Sequence, residues 1–381
     1  MDYIKGIDIS TLPEIEKLGG KYYDFDGNET ELIAFAKSQG INSVRVRLWN
    51  DPYSEDGKEY GAGTNDLPKT IALMKRIKKA GMSVLFDFHY SDFWVDPGKQ
   101  FVPKAWRGHS AEELIEDVYL YTKEVMEELK KEDILPELVQ VGNELSNGML
   151  WPACQVPNYE NLAKAVSAGI RAVKEVAPLT RIMIHLDNGG NNELYRRWFD
   201  NYLKNGGEDF DIIGLSYYPF WHGNFKMLYD NMSDIAKRYG KDLVIAEVSM
   251  GFTMEDYAVY EGFKETDPTT ARGDKNPVRK GYATRQELID KIEYPMTEDG
   301  QSDFMKELFK RLEDVPDNKG CGFYYWEPGW IPVKGSGWAT EESLKYIEDP
   351  GPCGNEWANQ ALFDYKGHPL KTWKTIKDYE R

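Results

Sequence analysis

The sequence predicts an α/β protein built as a (β/α)8 barrel. Eight short apolar runs rich in Val, Ile, Leu and Phe alternate with amphipathic segments of helical period along the 381 residues. Several of these segments end in glycine, which commonly caps the C-terminus of a helix. Near-continuous apolar strands that alternate with helices pair in parallel and lie beneath a helical layer. Eight such units favour a closed barrel.

The helices that carry the glycine signal lead directly into strands. They cover residues 31–39, 70–80 and 235–239, before Gly40, Gly81 and Gly240, and longer amphipathic helices are predicted over residues 112–130 and 159–176. The eight predicted strands lie near residues 4–9, 43–49, 83–89, 138–144, 181–187, 212–218, 243–248 and 322–327.

An open, doubly wound sheet is the competing architecture, but no GxGxxG or P-loop motif follows any predicted strand. The chain exceeds the ~250 residues typical of a barrel. The extra length falls in long loops after strands two, three, seven and eight, at residues 50–65, 90–109, 249–300 and 328–360. These loops enlarge the face where barrel enzymes carry their sites. With no linker or repeat, residues 1–381 are interpreted as a single domain.

Composition excludes several functions. There are 47 Lys and Arg residues against 64 Asp and Glu residues, so the formal net charge is −17. A protein this acidic is a poor match for nucleic acid or for an anionic membrane surface. The sequence contains no run of about 18 apolar residues, the length that a membrane-spanning helix requires. The N-terminus lacks a signal-peptide pattern, so we expect either a cytoplasmic protein or a secreted one whose leader is absent from this chain. No feature indicates a partner protein, and we expect a monomer.

The predicted C-terminal ends of the strands are unusually polar. A strand end with only a structural role carries apolar or small residues, because burying an unpaired carboxylate is costly. Polar side chains around one rim therefore predict a functional site. They are Asp8, Arg45, Arg47, Asp87, His89, Asn143, Glu144, His185, Asp187, Tyr217, Tyr218, Glu247, Trp326 and Glu327.

Two glutamates on this rim indicate glycoside hydrolysis. Glu144 and Glu247 end strands four and seven, which face each other across the mouth of an eight-stranded barrel. Carboxyl groups about 5–5.5 Å apart suit a retaining glycosidase, and roughly 6.5–9.5 Å suits an inverting one. Each glutamate alone could instead cap a helix or pair with a surface lysine. The pair together favours catalysis.

Other chemistries lack their motifs. The five histidines show no HxH or HExxH spacing, so we expect no catalytic metal. No GxSxG elbow for a nucleophilic serine is present. Tryptophans near the strand ends and in the long loops instead suit sugar rings, although some of them would simply anchor the loops. They are Trp94, Trp106, Trp151, Trp221, Trp326, Trp330, Trp338 and Trp357.

Five segments carry a specific resemblance. They read DFHYSDFWVDP (87–97), VGNE (141–144), MIHLDNG (183–189), YWEPGWIP (325–332) and NQALFD (359–364). Together they resemble family 53 of the glycoside hydrolases, the endo-β-1,4-galactanases, over nearly the whole chain. The Asn-Glu pair alone would indicate only the broader clan of retaining barrel glycosidases.

The resemblance implies a retaining endo-hydrolase of β-1,4-galactan, the side chain of pectin. It implies that Glu144 is the acid/base and that Glu247 is the nucleophile. Arg45 would keep Glu247 ionised, and Arg47 shares its face of the strand and stays an alternative for part of that role. The remaining residues would bind substrate or hold the nucleophile: Asn143 at the sugar 2-hydroxyl, Tyr218 at Glu247, Trp326 beneath the attacked sugar, and His89, Trp94, His185 and Asp187 at other hydroxyls.

Two further expectations accompany this resemblance. No cofactor is required for the chemistry, and a structural calcium ion is possible in the family, but residues 250–277 lack the alternating oxygen ligands that such a loop needs. Alternatives stay open: a retaining endo-glycosidase on another β-linked glycan such as mannan or xylan, or a catalytically silent glycan-binding barrel.

Overall fold

Eight parallel strands close into a barrel in which each strand pairs with its neighbours in sequence and β1 pairs with β8. The computed structural model describes residues 3–255, 257, 286–349 and 353–381. The predicted (β/α)8 fold is confirmed. The strands are β1 (Ile4–Asp8), β2 (Ser43–Leu48), β3 (Ser83–Phe88), β4 (Leu138–Val141), β5 (Arg181–Leu186), β6 (Ile212–Tyr217), β7 (Asp242–Val248) and β8 (Gly320–Trp326).

Helices cover the outside of the barrel, and their ends follow the local sequence. Ser110 and Glu113 form a capping box at the start of the longest helix. Gly40, Gly81 and Gly240 follow their helices with positive φ, as predicted. In the described part of the chain the helices are α1 (Leu12–Lys17), α2 (Leu32–Ser38), α3 (Leu67–Lys79), α4 (Ala111–Lys131), α5 (Tyr159–Val176), α6 (Asn192–Lys204), α7 (Phe225–Tyr239), α8 (Gln286–Ile289), α9 (Glu298–Glu313), α10 (Glu341–Tyr346) and α11 (Thr372–Asp378).

The loops at the C-terminal strand ends are long where the sequence predicted. Residues 49–66 follow β2, residues 89–110 follow β3, and residues 327–371, which include α10, follow β8. Most of the predicted loop after β7 lies outside the described residues. The loop after β4 is also elaborate, since it carries a small antiparallel pair, Gly148–Met149 with Cys154–Gln155. The sequence had not indicated this pair.

The barrel interior has an apolar floor and a polar upper layer. The floor is a cluster separate from the larger core between the strands and helices. Above it the strands carry charged groups, so that Asp8 lies opposite both Arg45 and Trp326 in the strand register. The floor consists of Ile4, Leu85, Leu138, Met183, Ile212, Val244, Ala246, Cys321 and Tyr324.

Two backbone irregularities aim the predicted glutamates into the interior. In β7 the register advances from Leu215↔Ile245 to Ser216↔Glu247, so one extra residue, Ala246, forms a bulge. Strict alternation from Ala246 on the interior face would turn Glu247 outward, and the bulge brings it inward. At the end of β4, Glu144 adopts a left-handed conformation with φ 48°. The strand ends at Val141, directly before Gly142 with φ 80°, and three residues before the predicted boundary.

Two glycine substitutions should separate backbone strain from steric overlap. Gly81 has φ +71° and open space where a methyl group would lie, whereas a Cβ on Gly322 (φ +136°) would lie 2.2 Å from the carbonyl oxygen of Ile4. We expect Gly81→Ala to lower the free energy of unfolding by about 1 kcal/mol. Gly322→Ala should cost several times more, because it also forces β8 away from β1. Urea unfolding measures both losses, and similar losses would contradict this account.

Candidate active site

An open cavity of about 560 Å³ lies at the C-terminal end of the barrel. Eight of the ten residues predicted for the site line it. Arg45 and His185 lie beneath the cavity wall instead, with side chains that are fully buried. The eight lining residues are His89, Trp94, Asn143, Glu144, Asp187, Tyr218, Glu247 and Trp326.

Glu247 is a buried carboxylate with two strong partners. Nη1 of Arg45 lies 2.8 Å from its Oε1, and the hydroxyl of Tyr218 donates to its Oε2 at 2.7 Å. Burial raises the pKa of Glu247, and the charge of Arg45 and the hydrogen bond from Tyr218 oppose that rise. Both partners favour the ionised form, which is the form that can attack an electrophilic carbon.

Arg45 connects several side chains of the polar layer. Its guanidinium donates to Asp8 at 3.0 Å, to Asp87 at 2.8 Å and to Asn143 at 2.9 Å, in addition to its contact with Glu247. Its Nε donates to Oε1 of Gln140 at 3.1 Å. A guanidinium suits this position because its five N–H donors are fixed in one plane.

The structure also separates the two arginines of β2. Arg47 forms ion pairs with Asp8 at 3.1 Å and with Glu327 at 2.8 Å. Its guanidinium lies over the ring of Trp94, 4.4 Å from the centroid. It therefore supports an aromatic wall of the cavity, and the ion pair to Glu247 comes from Arg45.

Glu144 has a different environment from Glu247. Its Oε1 lies 2.6 Å from the Ser216 hydroxyl, and the described contacts include no ion pair between Glu144 and a cation. Burial and the negative charges of Glu247 and Asp187 raise the pKa of Glu144 well above its ordinary value. Of the two carboxyl groups, Glu144 is therefore the better suited to carry a proton, and a carboxylic acid beside a carboxylate is the arrangement that acid-assisted bond cleavage requires.

The predicted histidines are engaged within the protein. Nδ1 of His89 accepts a hydrogen bond from the indole of Trp49 at 3.2 Å, and its Nε2 lies 3.0 Å from Asp87. Both ring nitrogens of His89 therefore have partners within the protein, although the residue lines the cavity. His185 lies between Asn143 and Ser216 at 3.1 and 2.8 Å. These contacts orient other side chains of the site.

Glu327 is a rim residue for which the sequence predicted no role. Its carboxylate accepts hydrogen bonds from the backbone N–H and the hydroxyl of Thr11 and pairs with Arg47. Burial is the main cause that raises the pKa of Glu327 to about 7. Its contacts are thus with Thr11, which follows β1, and with Arg47, which lines the cavity.

Tryptophans form the walls of the cavity. Trp326 lies at the centre, 5.9 Å from Trp94 and 4.9 Å from Trp357 between ring centroids. The indole N–H of Trp94 donates to the carbonyl of Trp338. Trp221 is 44% exposed at the edge of the cavity. Flat apolar faces flanked by carboxylates and amides fit the faces and edges of sugar rings.

Some site residues could not be identified from the sequence. Ser216 and Gln140 both contact the polar network, yet each is a single polar residue within an apolar strand. The sequence offers one indication, because side chains two positions apart in a strand lie on the same face. Gln140 follows Leu138, a residue of the interior floor, by two positions. That signal places a side chain inside the barrel and does not reveal its partners.

The described residues contain no group of three or more His, Cys, Asp or Glu side chains arranged to hold a metal ion. The segment on which the calcium expectation rests, residues 250–277, lies mostly outside the described residues. No helix in the described ranges is long and apolar enough to cross a membrane.

Comparison with known proteins agrees with this geometry. A family model described as "Glycosyl hydrolase family 53" matches residues 4–376. An endo-beta-1,4-galactanase of Bacillus subtilis is 34% identical over 99% of this chain and 86% of its own length. A probable arabinogalactan endo-beta-1,4-galactanase of Aspergillus terreus is 34% identical over 89% of each chain. The solved catalytic domain of a family 53 protein from Ignisphaera aggregans superposes with a TM-score of 0.88 at 36% identity, over 100% of this chain and 97% of that one.

Replacing Arg45 tests whether its contacts stabilise the buried carboxylates. Arg45→Met leaves the carboxylates of Asp8, Asp87 and Glu247 buried without this cation, and we expect a loss of ~3–5 kcal/mol in the free energy of unfolding. Without Arg45 the pKa of Glu247 rises further in the folded state, so stability is lost as the pH rises from the unfolded-state pKa through the folded-state pKa. The deficit relative to the wild type should be larger at pH 8 than at pH 5. Chemical unfolding at both pH values measures it, and a pH-independent deficit would count against the assignment.

Proposed function

The chain belongs to glycosyl hydrolase family 53, and we propose that it cleaves internal β-1,4-galactosidic bonds of galactan, the side chain of pectin, with retention of configuration. The observation that carries the proposal is a pair of buried glutamates of unlike environment on one cavity. Arg45 and Tyr218 favour the charged form of Glu247. Burial and neighbouring negative charges favour the protonated form of Glu144.

These two groups suffice for a two-step displacement. Glu247 attacks the anomeric carbon and forms a glycosyl ester, while the bond from that carbon to the leaving oxygen breaks and Glu144 gives its proton to that oxygen. Glu144, now a carboxylate, takes a proton from water, whose oxygen attacks the same carbon and releases Glu247. Each step inverts the carbon, so the product keeps the β configuration. No cofactor takes part in either step.

The proposed substrate is a neutral polymer. Trp326 and Trp94 offer stacking surfaces beside the glutamates, and the cavity is open at the top of the barrel. Asn143 uses one N–H of its amide on the carbonyl of Val95, which leaves the second for the sugar 2-hydroxyl. A polysaccharide does not cross a membrane, so we propose that the enzyme meets its substrate outside the cytoplasm.

Two alternatives share parts of this site. A glycosidase acting on mannan or xylan would use the same pair of glutamates and differ in contacts to hydroxyl groups. A glycan-binding barrel without activity would use the same tryptophans, but it would have no need for both buried glutamates, whose burial costs stability.

A substrate panel distinguishes these functions. We expect release of oligosaccharides from linear β-1,4-galactan, and little or none from β-1,3-galactan, β-mannan, xylan or cellulose, as measured by reducing ends. Activity on another polymer would be consistent with the proposed mechanism but would show that the substrate is a different glycan. Binding to galactan without any release would favour the silent glycan-binding barrel.

The two glutamates should be distinguishable by chemical rescue. Glu247→Ala should lower kcat by at least about 10⁴-fold, because the nucleophile is lost. Azide should then restore turnover of an activated β-galactoside and give an α-galactosyl azide. Glu144→Ala should instead give the β-galactosyl azide, since azide replaces water in the second step. NMR of the products reads the anomeric configuration, and the same anomer from both variants would refute the assignment of roles.

A further inference from the structure

A chain of hydrogen bonds connects Glu144 to the interior of the barrel. Oε1 of Glu144 lies 2.6 Å from Oγ of Ser216, which lies 2.8 Å from Nε2 of His185. Nδ1 of His185 lies 3.1 Å from Oδ1 of Asn143. Ser216 and His185 are fully buried, so bulk solvent does not reach them. The hydrogen-bond partners of both side chains are members of this chain of contacts.

The amide of Asn143 fixes one end of the chain. Its Oδ1 accepts hydrogen bonds from Arg45 at 2.9 Å and from Gln140 at 3.1 Å, and its Nδ2 donates to the carbonyl of Val95 at 3.0 Å. The orientation of Gln140 is fixed in turn, because its Oε1 accepts from Nε of Arg45. Oδ1 of Asn143 is thus an acceptor, and Nδ1 of His185 must carry a hydrogen to bond with it.

His185 is neutral, so it carries only that one hydrogen. Burial lowers the pKa of His185 well below its ordinary value, and Arg45, His89 and His222 act in the same direction. With the hydrogen on Nδ1, Nε2 is left as an acceptor that faces Ser216. The hydroxyl of Ser216 is the donor that Nε2 requires.

Ser216 has one hydrogen and two acceptors that compete for it. When Glu144 is a carboxylate, its Oε1 also requires that hydrogen. When Glu144 is protonated, its own hydrogen can occupy the 2.6 Å contact, and Ser216 can donate to His185. Negative charge on Glu247, Asp187 and Asp96 disfavours the carboxylate of Glu144. The phenols of Tyr218 and Tyr195 are further titratable groups that interact with Glu144.

We propose that Ser216 and His185 are positioning residues that set the proton affinity of Glu144 through this single shared hydrogen. While Ser216 donates to His185, the carboxylate of Glu144 has no donor from Ser216, and Glu144 keeps its proton. After Glu144 gives the proton to the leaving oxygen, the Ser216 hydroxyl rotates from Nε2 to Oε1 and stabilises the new carboxylate. No O–H bond of Ser216 breaks. The rotation reverses when Glu144 takes a proton from water. This inference rests on the proposed function, since it assumes that Glu144 is the acid/base.

Two substitutions of His185 isolate the shared hydrogen. The short amide of His185→Asn takes the place of Nδ1, so it keeps a donor for Asn143 but offers no acceptor to Ser216. The longer amide of His185→Gln takes the place of Nε2 and keeps that acceptor. In His185→Asn, Ser216 donates permanently to Glu144, which stabilises the carboxylate and lowers its pKa. We expect the alkaline limb of kcat/KM to move to lower pH by about one unit in this variant and to stay near the wild-type position in His185→Gln.

The proposal requires that the effect of His185→Asn on the pKa of Glu144 depend on the hydroxyl of Ser216. In a Ser216→Ala background, His185→Asn should therefore leave the alkaline limb where Ser216→Ala alone places it. The proposal would be overturned if the alkaline limb of His185→Asn stayed in place or moved to higher pH. It would also be overturned if the limb moved equally with and without Ser216. A wild-type enzyme that releases no sugar would refute the proposed function instead, so the two failures are distinguishable.

A measurement on the unaltered protein covers the case in which a variant does not fold. The ring nitrogen shifts of His185 in ¹⁵N NMR report its tautomer. The proposal requires a neutral ring with its hydrogen on Nδ1. A hydrogen on Nε2 would make Ser216 a permanent donor to Glu144 and would overturn the proposal without any substitution.

Discussion

The ion pairs of Arg45 are the interaction on which the upper half of the barrel depends. One fully buried guanidinium contacts Asp8, Asp87 and Glu247, which come from β1, β3 and β7. Isolated, each of these carboxylates would cost several kcal/mol in this environment. The shared cation makes their burial tolerable and fixes their positions relative to one another. The same contacts that hold the strands in register therefore also orient the proposed nucleophile.

Charge is not fully compensated in this layer, and the imbalance has a chemical use. Arg45 and Arg47 face Asp8, Asp87, Glu247 and Glu327, so four carboxyl groups share two cations. Glu144 adds a fifth carboxyl with no ion pair to a cation among the described contacts. Burial and this negative excess together raise the pKa of Glu327 to about 7 and that of Glu144 well above its usual range. A deficit of cations thus helps to produce an acid and a carboxylate within one cavity.

Much of this arrangement could be predicted from the sequence, because it depends on local patterns. Apolar runs, glycine caps and the positions of Glu144 and Glu247 are properties of short segments, and all eight strands appear where those patterns predict them. The bulge at Ala246 could not be predicted, since it is a mismatch between two strands about 30 residues apart. The division of roles between Arg45 and Arg47 and the contact of Ser216 depend in the same way on which strands face each other. Long-range register, rather than residue type, limited the prediction.

Two irregularities of the barrel lie at the residues proposed for chemistry. Regular strands would place alternate side chains inside, which suits the apolar floor, whereas two catalytic carboxyls must approach one substrate atom from different strands. The bulge in β7 and the left-handed Glu144 after β4 supply that approach at the cost of local strain. The lower half contributes a separate apolar floor, and the burial of these side chains offsets part of this strain. The same eight strands therefore carry a costly charged network above a layer whose burial is favourable.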